Sequence, residues 1–257
     1  MMLNAIKKKQ FRLHYQPIVD IKHGRCVGAE ALLRWHGYNG PLMSPAVFIP
    51  LAEREGLISR LTEYVIDYVF EDLGTFLAKT PEIYISINLS ATDFHSPYLI
   101  DWITDKVHRY GVKARQIKIE VTERGFIDVA KTTPVIQAFR AAGFEVAIDD
   151  FGTGYSNLQN LYALNVDILK IDKSFIDTLP GQNTSHLIAE HIIDMAHSLQ
   201  LKTIAEGVEN SEQVCWLLKR GVQFCQGWYF AKALPGDEFQ NWLARKTPPP
   251  GKPHWVF

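Results

Sequence analysis

Residues 133–149, TPVIQAFRAAGFEVAID, contain one complete structural repeat of this chain. The apolar spacing predicts a helix over Thr133–Ala142, with Pro134 in its first turn and Gly143 at its end. The next run, Phe144–Asp149, alternates apolar and other residues as a β-strand does, and it ends in an acid. A helix that leads directly into a short strand is the unit of a parallel sheet with crossover helices.

The same pattern recurs along most of the 257 residues. Strands are predicted over Leu13–Val19, Cys26–Trp35, Ile83–Leu89, Gln116–Val121, Phe144–Asp149, Asp167–Ile171, Lys202–Glu206 and Gln223–Gln226. Helices are predicted over Leu57–Ala78, Tyr98–Tyr110, Thr133–Ala142, Ser156–Ala163, Ser185–Leu199, Ser211–Arg220 and Asp237–Ala244. This alternation favours a closed TIM-type (β/α)8 barrel over an open doubly wound sheet. Asp20–Gly24 joins the first two strands as a hairpin turn does, so we expect an α/β barrel with an irregular, antiparallel first strand.

The composition excludes several other classes of protein. With 27 Lys and Arg against 28 Asp and Glu, the net charge of −1 argues against binding to DNA or other long nucleic acid through many phosphates. Three cysteines outside any CxxC pair favour a reducing cytoplasm. The sequence shows neither an apolar run of the roughly 20 residues that span a bilayer nor a signal-peptide core. We expect one barrel domain over residues 1–246 and a Pro-rich tail over residues 247–257.

A set of polar side chains lies near the carboxyl ends of successive predicted strands. Strand alternation directs the apolar residues toward the helices, which leaves the opposite face inside the barrel. Seven polar residues lie on this inward face near the carboxyl ends of their strands and would meet at one mouth of the barrel: Glu30, Asn88, Glu120, Asp149, Lys170, Glu206 and Gln226. In a TIM barrel the chemistry takes place at that mouth.

Because Asp150 follows Asp149, five acids would surround this mouth. Two like charges about 4 Å apart repel by roughly 4 kcal/mol at an effective dielectric near 20. Either some acids are protonated or cations lie among them. Oxygen ligands without Cys or a nearby His favour Mg²⁺ or Mn²⁺ over zinc. Paired divalent ions suit in-line displacement at phosphorus, and Lys170 would orient a water or stabilise the developing charge.

Eight strings of the sequence resemble, in order, those of one enzyme family. They are YQPIV at 15–19, EALLRW at 30–35, INLS at 87–90, EVTE at 120–123, DDFGTGYS at 149–156, LKID at 169–172, AEGVE at 205–209 and QGWYF at 226–230. Together they resemble the EAL-domain cyclic di-GMP phosphodiesterases over almost the whole chain. Two departures are Asn157, where a serine is more usual, and Trp228, where a tyrosine is more usual.

The resemblance implies hydrolysis of one phosphodiester of cyclic di-GMP to linear pGpG, by a water that two Mg²⁺ or Mn²⁺ ions activate. It implies a first ion held by Glu30, Asn88, Glu120 and Asp149, and a second held by Asp149, Asp150 and Glu206. Lys170 would hold the attacking water, and Glu206 is alternatively the base. The residues implied to contact the substrate are Gln16, Leu33, Arg34 and Gln226.

The resemblance also implies an assembly and a role. Glu123 would anchor the loop Phe151–Leu158, and this loop and the next helix would form a homodimer interface. Family members often carry an N-terminal sensor or transmembrane region, so the chain is either a stand-alone cytoplasmic enzyme or the cytoplasmic portion of an inner-membrane protein. Its role would be to lower a second messenger of bacterial signalling and biofilm formation.

Two other functions stay open from the sequence. One is a catalytically silent module that binds cyclic di-GMP and signals to a partner. The other is a different metal-dependent barrel enzyme. Because every implied metal ligand is present, an active phosphodiesterase is favoured. The string GDEF at 236–239 echoes a cyclase signature, but it follows Pro235 and is interpreted as a helix start.

Overall fold

The structure, a computed structural model, describes residues 2–37, 42–96, 98–122, 129–153, 158–181 and 184–246. Within these ranges no helix is both long and apolar enough to cross a lipid bilayer. The tail predicted over residues 247–257 lies outside the described residues.

The nine strands of the described chain form a single sheet. They are β1 Phe11–Asp20, β2 Arg25–His36, β3 Leu42–Met43, β4 Tyr84–Leu89, β5 Ile117–Thr122, β6 Glu145–Phe151, β7 Ile168–Ile171, β8 Lys202–Ala205 and β9 Phe224–Gln226. Eight of them close into a barrel in the order β1, β2, β4 to β9 and back to β1, while β3 adds to the end of β2. Strand β1 runs antiparallel to both β2 and β9, and the other neighbours in the barrel are parallel. The predicted barrel with an antiparallel first strand is confirmed.

Helices surround this barrel. They are α1 Met2–Lys7, α2 Pro45–Arg54, α3 Ile58–Lys79, α4 Leu99–Tyr110, α5 Val129–Ala141, α6 Leu158–Leu164, α7 Lys173–Ile176, α8 Thr184–Ser198, α9 Ser211–Lys219 and α10 Gly236–Lys246. Every predicted helix is present, and GDEF does begin α10. The sequence patterns did not predict α2, in which Pro50 lies inside the helix.

One local prediction about α5 is wrong. Pro134 lies inside α5 rather than in its first turn, because the helix already runs from Val129. The hydroxyl of Thr133 donates to the carbonyl oxygen of Val129 at 2.8 Å and adds a hydrogen bond to this first part of the helix. Gly143 follows the helix with φ +91°, a conformation that favours glycine, so the predicted end is confirmed.

The two faces of the strands carry different residues, as the alternation predicts. Isoleucines such as Ile85, Ile87 and Ile119 belong to the large core that includes the helices. The inward face carries a small separate cluster of Ile18, Tyr84, Ala147, Ile168 and Ile204. Buried polar side chains occupy the remaining inward positions of the same strands, among them Ser86, Lys118, Glu120 and Lys170. This parity directs the polar residues into the barrel.

An ionic cluster closes the amino-terminal end of the barrel. The Nζ atom of Lys118, which is 5% exposed, lies 2.8 Å from Glu145 Oε2 and 3.6 Å from the centroid of the Tyr84 ring. Glu145 Oε1 also accepts from Lys202 Nζ at 2.6 Å. Partial burial tends to raise the pKa of Glu145, but Lys118 and Lys202 outweigh it, and the pKa is lowered. A lowered carboxyl pKa stabilises the fold at pH above its ordinary value of 4.5.

We predict that Glu145→Gln lowers the free energy of unfolding at pH 7 by about 2 kcal/mol, because Lys118 then stays buried without its carboxylate. The difference from wild type should shrink as the pH falls from about 4.5, where Glu145 of the unfolded chain becomes protonated, through the lower pKa of Glu145 in the folded protein. Urea unfolding at several pH values measures both effects. In the double variant Lys118→Met/Glu145→Gln much of the lost stability should return, and simple additivity of the two changes would contradict the pairing.

Candidate active site

A buried lysine lies at the centre of the acids at the carboxyl-terminal mouth of the barrel. Lys170 Nζ lies 2.6 Å from Glu120 Oε2 and from Glu206 Oε1, 3.0 Å from Asp149 Oδ1 and 3.5 Å from Glu30 Oε2. Lys170 and Glu120 are both fully buried. The barrel brings these side chains together because each comes from a different strand, or from the residue directly after it. Glu30 lies in the middle of the long strand β2 rather than at its end, but near the end of the part that pairs with β4.

Glu30 is held from two sides by amide groups. Asn88 Nδ2 donates to its Oε1 at 2.7 Å, and Gln226 Nε2 donates to its Oε2 at 2.8 Å. Gln226 Nε2 also lies 3.0 Å from Gln16 Oε1. The register explains this arrangement, since Gln16 pairs with Glu30 and Asn88 pairs with Glu120 across neighbouring strands. The carboxylate of Glu30 is therefore fixed in position by its neighbours.

Asp149 and Asp150 reach the same mouth although they are consecutive. Successive strand residues normally face opposite sides of a sheet. Here the register of β6 against β7 shifts between Ile148 and Phe151, and Asp150 has a φ of +53°. The backbone N–H of Asp150 donates to Asp149 Oδ1 at 3.0 Å, which stabilises the turn. This irregularity brings the second acid to the mouth beside the first.

The protonation of the cluster reflects its burial. Burial raises the pKa of Glu120 to about 8, against the opposing effect of Lys170, and it raises the pKa of Glu206 well above its usual range. For Lys170 the four carboxylates outweigh burial and hold the pKa well above 10.5. For Glu30 the ammonium and the two amides outweigh burial and lower the pKa. A single ammonium is therefore insufficient to keep all these carboxylates ionised near neutral pH.

The donor set fits divalent cations. Oxygens of Glu30, Glu120 and Asp149 lie within 4.8 Å of one another, and so do oxygens of Asp149, Asp150 and Glu206. The buried Oε1 atom of Glu120 has no hydrogen-bond partner in the described part of the chain. Carboxylate oxygens at this spacing are ligands for hard cations, and Asp149 belongs to both groups.

Two cavities open on either side of Glu30. The larger, about 650 Å³, lies between β2, α2 and α3 and includes Leu33, Arg34, Asp149 and Asp150 in its walls. The smaller, about 250 Å³, includes Gln16, Glu206, Gln226 and Trp228. Both cavities reach the acid cluster, since Glu30 lines each of them. A ligand larger than a single nucleotide can therefore extend in both directions from the acids.

The model of the EAL domain family matches residues 1–233. The chain belongs to the EAL domain family. This EAL domain is 47% identical over 239 residues to the probable cyclic di-GMP phosphodiesterase PdeB of Escherichia coli (strain K12), covering 93% of this chain and 46% of PdeB. It is 36% identical over 241 residues to the cyclic di-GMP phosphodiesterase NbdA of Pseudomonas aeruginosa, covering 93% of this chain and 31% of NbdA.

A solved structure of the PaMucR phosphodiesterase in complex with c-di-GMP resembles this EAL domain, with a TM-score of 0.87 and 34% sequence identity. The match covers 93% of this chain and 97% of that one. The chain spans between about a third and a half of the length of the two curated relatives.

The structure brings together most of the residues named from the sequence. All seven predicted mouth residues and Asp150 meet there, and Gln16, Leu33 and Arg34 line the two cavities. Glu123 and residues 154–157 of the predicted loop lie outside the described residues. The smaller cavity also has walls that the sequence patterns did not indicate, namely Lys173, Glu209 and Trp228. For Trp228 the sequence does contain a signal, because a tyrosine is more usual at this position in the family.

We predict that Lys170→Met lowers the free energy of unfolding at pH 7 by about 3–5 kcal/mol, because it leaves several buried carboxylates without their cation. The measurement is urea unfolding in a chelator, so that free divalent ions make no contribution. Adding Glu120→Gln to this variant should restore part of the loss, since the most buried acid is then neutral. Wild-type stability of Lys170→Met would show that the lysine does not balance the cluster.

Proposed function

We propose that this EAL domain is a phosphodiesterase that hydrolyses cyclic di-GMP to linear pGpG, and that it lowers the concentration of this second messenger in bacterial signalling. The observation that carries the proposal is the cluster of acids around Lys170, which is open to a cavity on each side. The names of the relatives support the substrate: PdeB and NbdA are named as cyclic di-GMP phosphodiesterases, and the PaMucR structure is a complex with c-di-GMP.

We assign two divalent cations, Mg²⁺ or Mn²⁺, to the two groups of acids. Glu30, Asn88, Glu120 and Asp149 would hold one ion, and Asp149, Asp150 and Glu206 would hold the other. Bound ions of this kind polarise the phosphoryl oxygens and lower the pKa of water. The fit rests on the spacing of the carboxylate oxygens and on the unpartnered Glu120 Oε1 among the described residues.

The protein's own groups would position the reactants and move the protons. Lys170 holds the attacking water, and it keeps Glu120, Asp149 and Glu206 at fixed distances from that position. The water oxygen attacks phosphorus as the bond from phosphorus to the 3′ oxygen breaks. If Glu206 is the base, it accepts the proton of the water and then passes it to the 3′ oxygen. If Glu206 is a ligand instead, the proton of the water passes to solvent and the 3′ oxygen takes one up from solvent. Gln16, Leu33, Arg34 and Gln226 contact the dinucleotide, with Arg34 suited to a phosphate by its planar donors.

We also propose a homodimer that forms through the loop after Asp150 and helix α6. Tyr162, on α6, is 77% exposed, and a large exposed aromatic side chain is typical of a contact surface. The variant Tyr162→Glu should shift the protein toward monomer in sedimentation velocity experiments, with unchanged circular dichroism. A wild-type protein that is monomeric at tens of micromolar would contradict this proposal. Within a longer protein, such a dimer would act as the cytoplasmic output domain of a sensor.

We predict that the purified protein converts cyclic di-GMP to pGpG with Mg²⁺ or Mn²⁺, and that excess chelator abolishes this activity. Chromatography of the nucleotides measures both. Returning either metal should restore the activity, because the acids are the proposed ligands. Binding of cyclic di-GMP without turnover, with metal present, would instead indicate a silent signalling module. Release of any product other than pGpG would indicate a different enzyme.

Two Glu→Gln variants test the metal site, one at a proposed ligand and one, as the matched control, at an exposed glutamate. Glu30→Gln should lower kcat at least about 100-fold, since it removes a ligand charge. Its Tm should fall somewhat, because the amide has a single acceptor oxygen for the two N–H groups of Asn88 and Gln226 and no charge to pair with Lys170. Circular dichroism checks that the variant is folded. Glu71→Gln, at an exposed position of α3, should leave the activity unchanged. Wild-type activity of Glu30→Gln would contradict the assignment of the metal site.

A further inference from the structure

Trp228 has an unusual environment for a tryptophan. Among the tryptophans that the structure describes, it alone is exposed, and 64% of its surface is accessible. It lies in the wall of the smaller cavity, together with Glu30, Glu206 and Gln226. An indole beside a cavity is a flat apolar surface that a planar ligand can cover.

The backbone that carries Trp228 is fixed on both sides. Val208 N–H donates to the carbonyl oxygen of Gln226 at 3.0 Å, and Tyr229 N–H donates to that of Val208 at 3.0 Å. A Cβ atom on Gly227 would lie 2.1 Å from the Val208 carbonyl oxygen, so this close approach requires glycine. The exposed indole is therefore carried by a well-bonded turn.

The surroundings of the indole favour an anionic ligand with planar bases. Lys232 Nζ lies 4.9 Å from the centroid of the Trp228 ring, so one face of the ring is next to an ammonium group. With 64% of the residue accessible, a large part of the ring surface remains open to a ligand. Positive charge next to an aromatic surface is how proteins bind single-stranded nucleotides, with the bases stacked and the phosphates attracted.

Trp228 is also linked to the acid cluster at short range. It stands two residues after Gln226, whose amide donates to Glu30 Oε2 at 2.8 Å. A base that stacks on Trp228 would therefore be held at a constant separation from the acids. The stacked base would therefore add binding energy to a pose in which the neighbouring phosphodiester lies near the cluster, where the acids themselves align it.

We infer that Trp228 stacks on one guanine base of the substrate and thereby positions the adjacent phosphodiester over the acids. This inference rests on the proposed function and adds a substrate-positioning residue to it. Stacking of a base on an aromatic side chain typically changes affinity between about 5-fold and 150-fold. Trp228 touches the base and not the reacting atoms, so its effect belongs to binding.

The experiment is steady-state hydrolysis of cyclic di-GMP in Mg²⁺. For Trp228→Ala we expect KM to rise about tenfold with kcat within about threefold of wild type, while Trp228→Phe keeps most of the affinity because it keeps a stacking ring. Tyr98→Ala, which removes another exposed aromatic ring (58%) away from both cavities, is the control and should not change KM. Since the indole is mostly exposed, circular dichroism and Tm should match wild type.

A second readout does not depend on turnover. Cyclic di-GMP added to the slow variant Glu30→Gln in Mg²⁺ should quench indole fluorescence, and the quenching should be lost in Glu30→Gln/Trp228→Phe. If wild type hydrolyses cyclic di-GMP but Trp228→Ala keeps its KM, or loses kcat alone, the inference is overturned and the proposed function stands. If wild type neither binds nor hydrolyses cyclic di-GMP, the proposed function itself is overturned.

Discussion

The site depends on one buried ammonium group that contacts four carboxylates. Lys170 lies between 2.6 and 3.5 Å from Glu30, Glu120, Asp149 and Glu206, each of which comes from a different part of the chain. Without a central cation these charges would repel one another and separate the strand ends that carry them. The single lysine offsets only part of the charge, as the raised pKa values of Glu120 and Glu206 indicate. The cluster of acids around Lys170 therefore keeps negative charge that the lysine does not balance, and this charge makes the mouth a site for further cations.

The barrel supplies the geometry that this cluster needs. Its inward face carries apolar residues in the middle, the ion pairs of Lys118 and Glu145 at one end and the acids at the other. The two ends of the barrel differ in the ratio of ammonium groups to carboxylates. At the amino-terminal end the carboxylate of Glu145 has two ammonium groups, whereas at the mouth several carboxylates share one. The first arrangement is balanced and stabilises the fold, whereas the second has an excess of negative charge that divalent cations could balance.

Much of the fold and of the acid cluster could be predicted from the sequence, because strand alternation is a local property. Alternate residues of a strand point to opposite faces of the sheet, so the positions of Asn88 and Glu120 along their strands already determine that their side chains enter the barrel. The sequence could not indicate that Lys170 contacts four acids at once, since this depends on how five strands meet. Nor could it indicate the register shift that brings Asp150 to the mouth, or the exposure of Trp228. Pro134 was misplaced because a proline inside a helix and one in its first turn look alike in the sequence.

The reversed direction of β1 has a mechanical consequence for the whole domain. The strand begins at Phe11, opposite Trp35 near the carboxyl end of β2, so the chain enters the barrel from the rim where the acids lie. Helix α1 is therefore attached at this rim, and its Met2 and Ala5 share a hydrophobic cluster with Phe48, a wall residue of the larger cavity. A force that pulls or twists the first helix is transmitted through one layer of side chains to the cavity wall, without having to pass through the barrel.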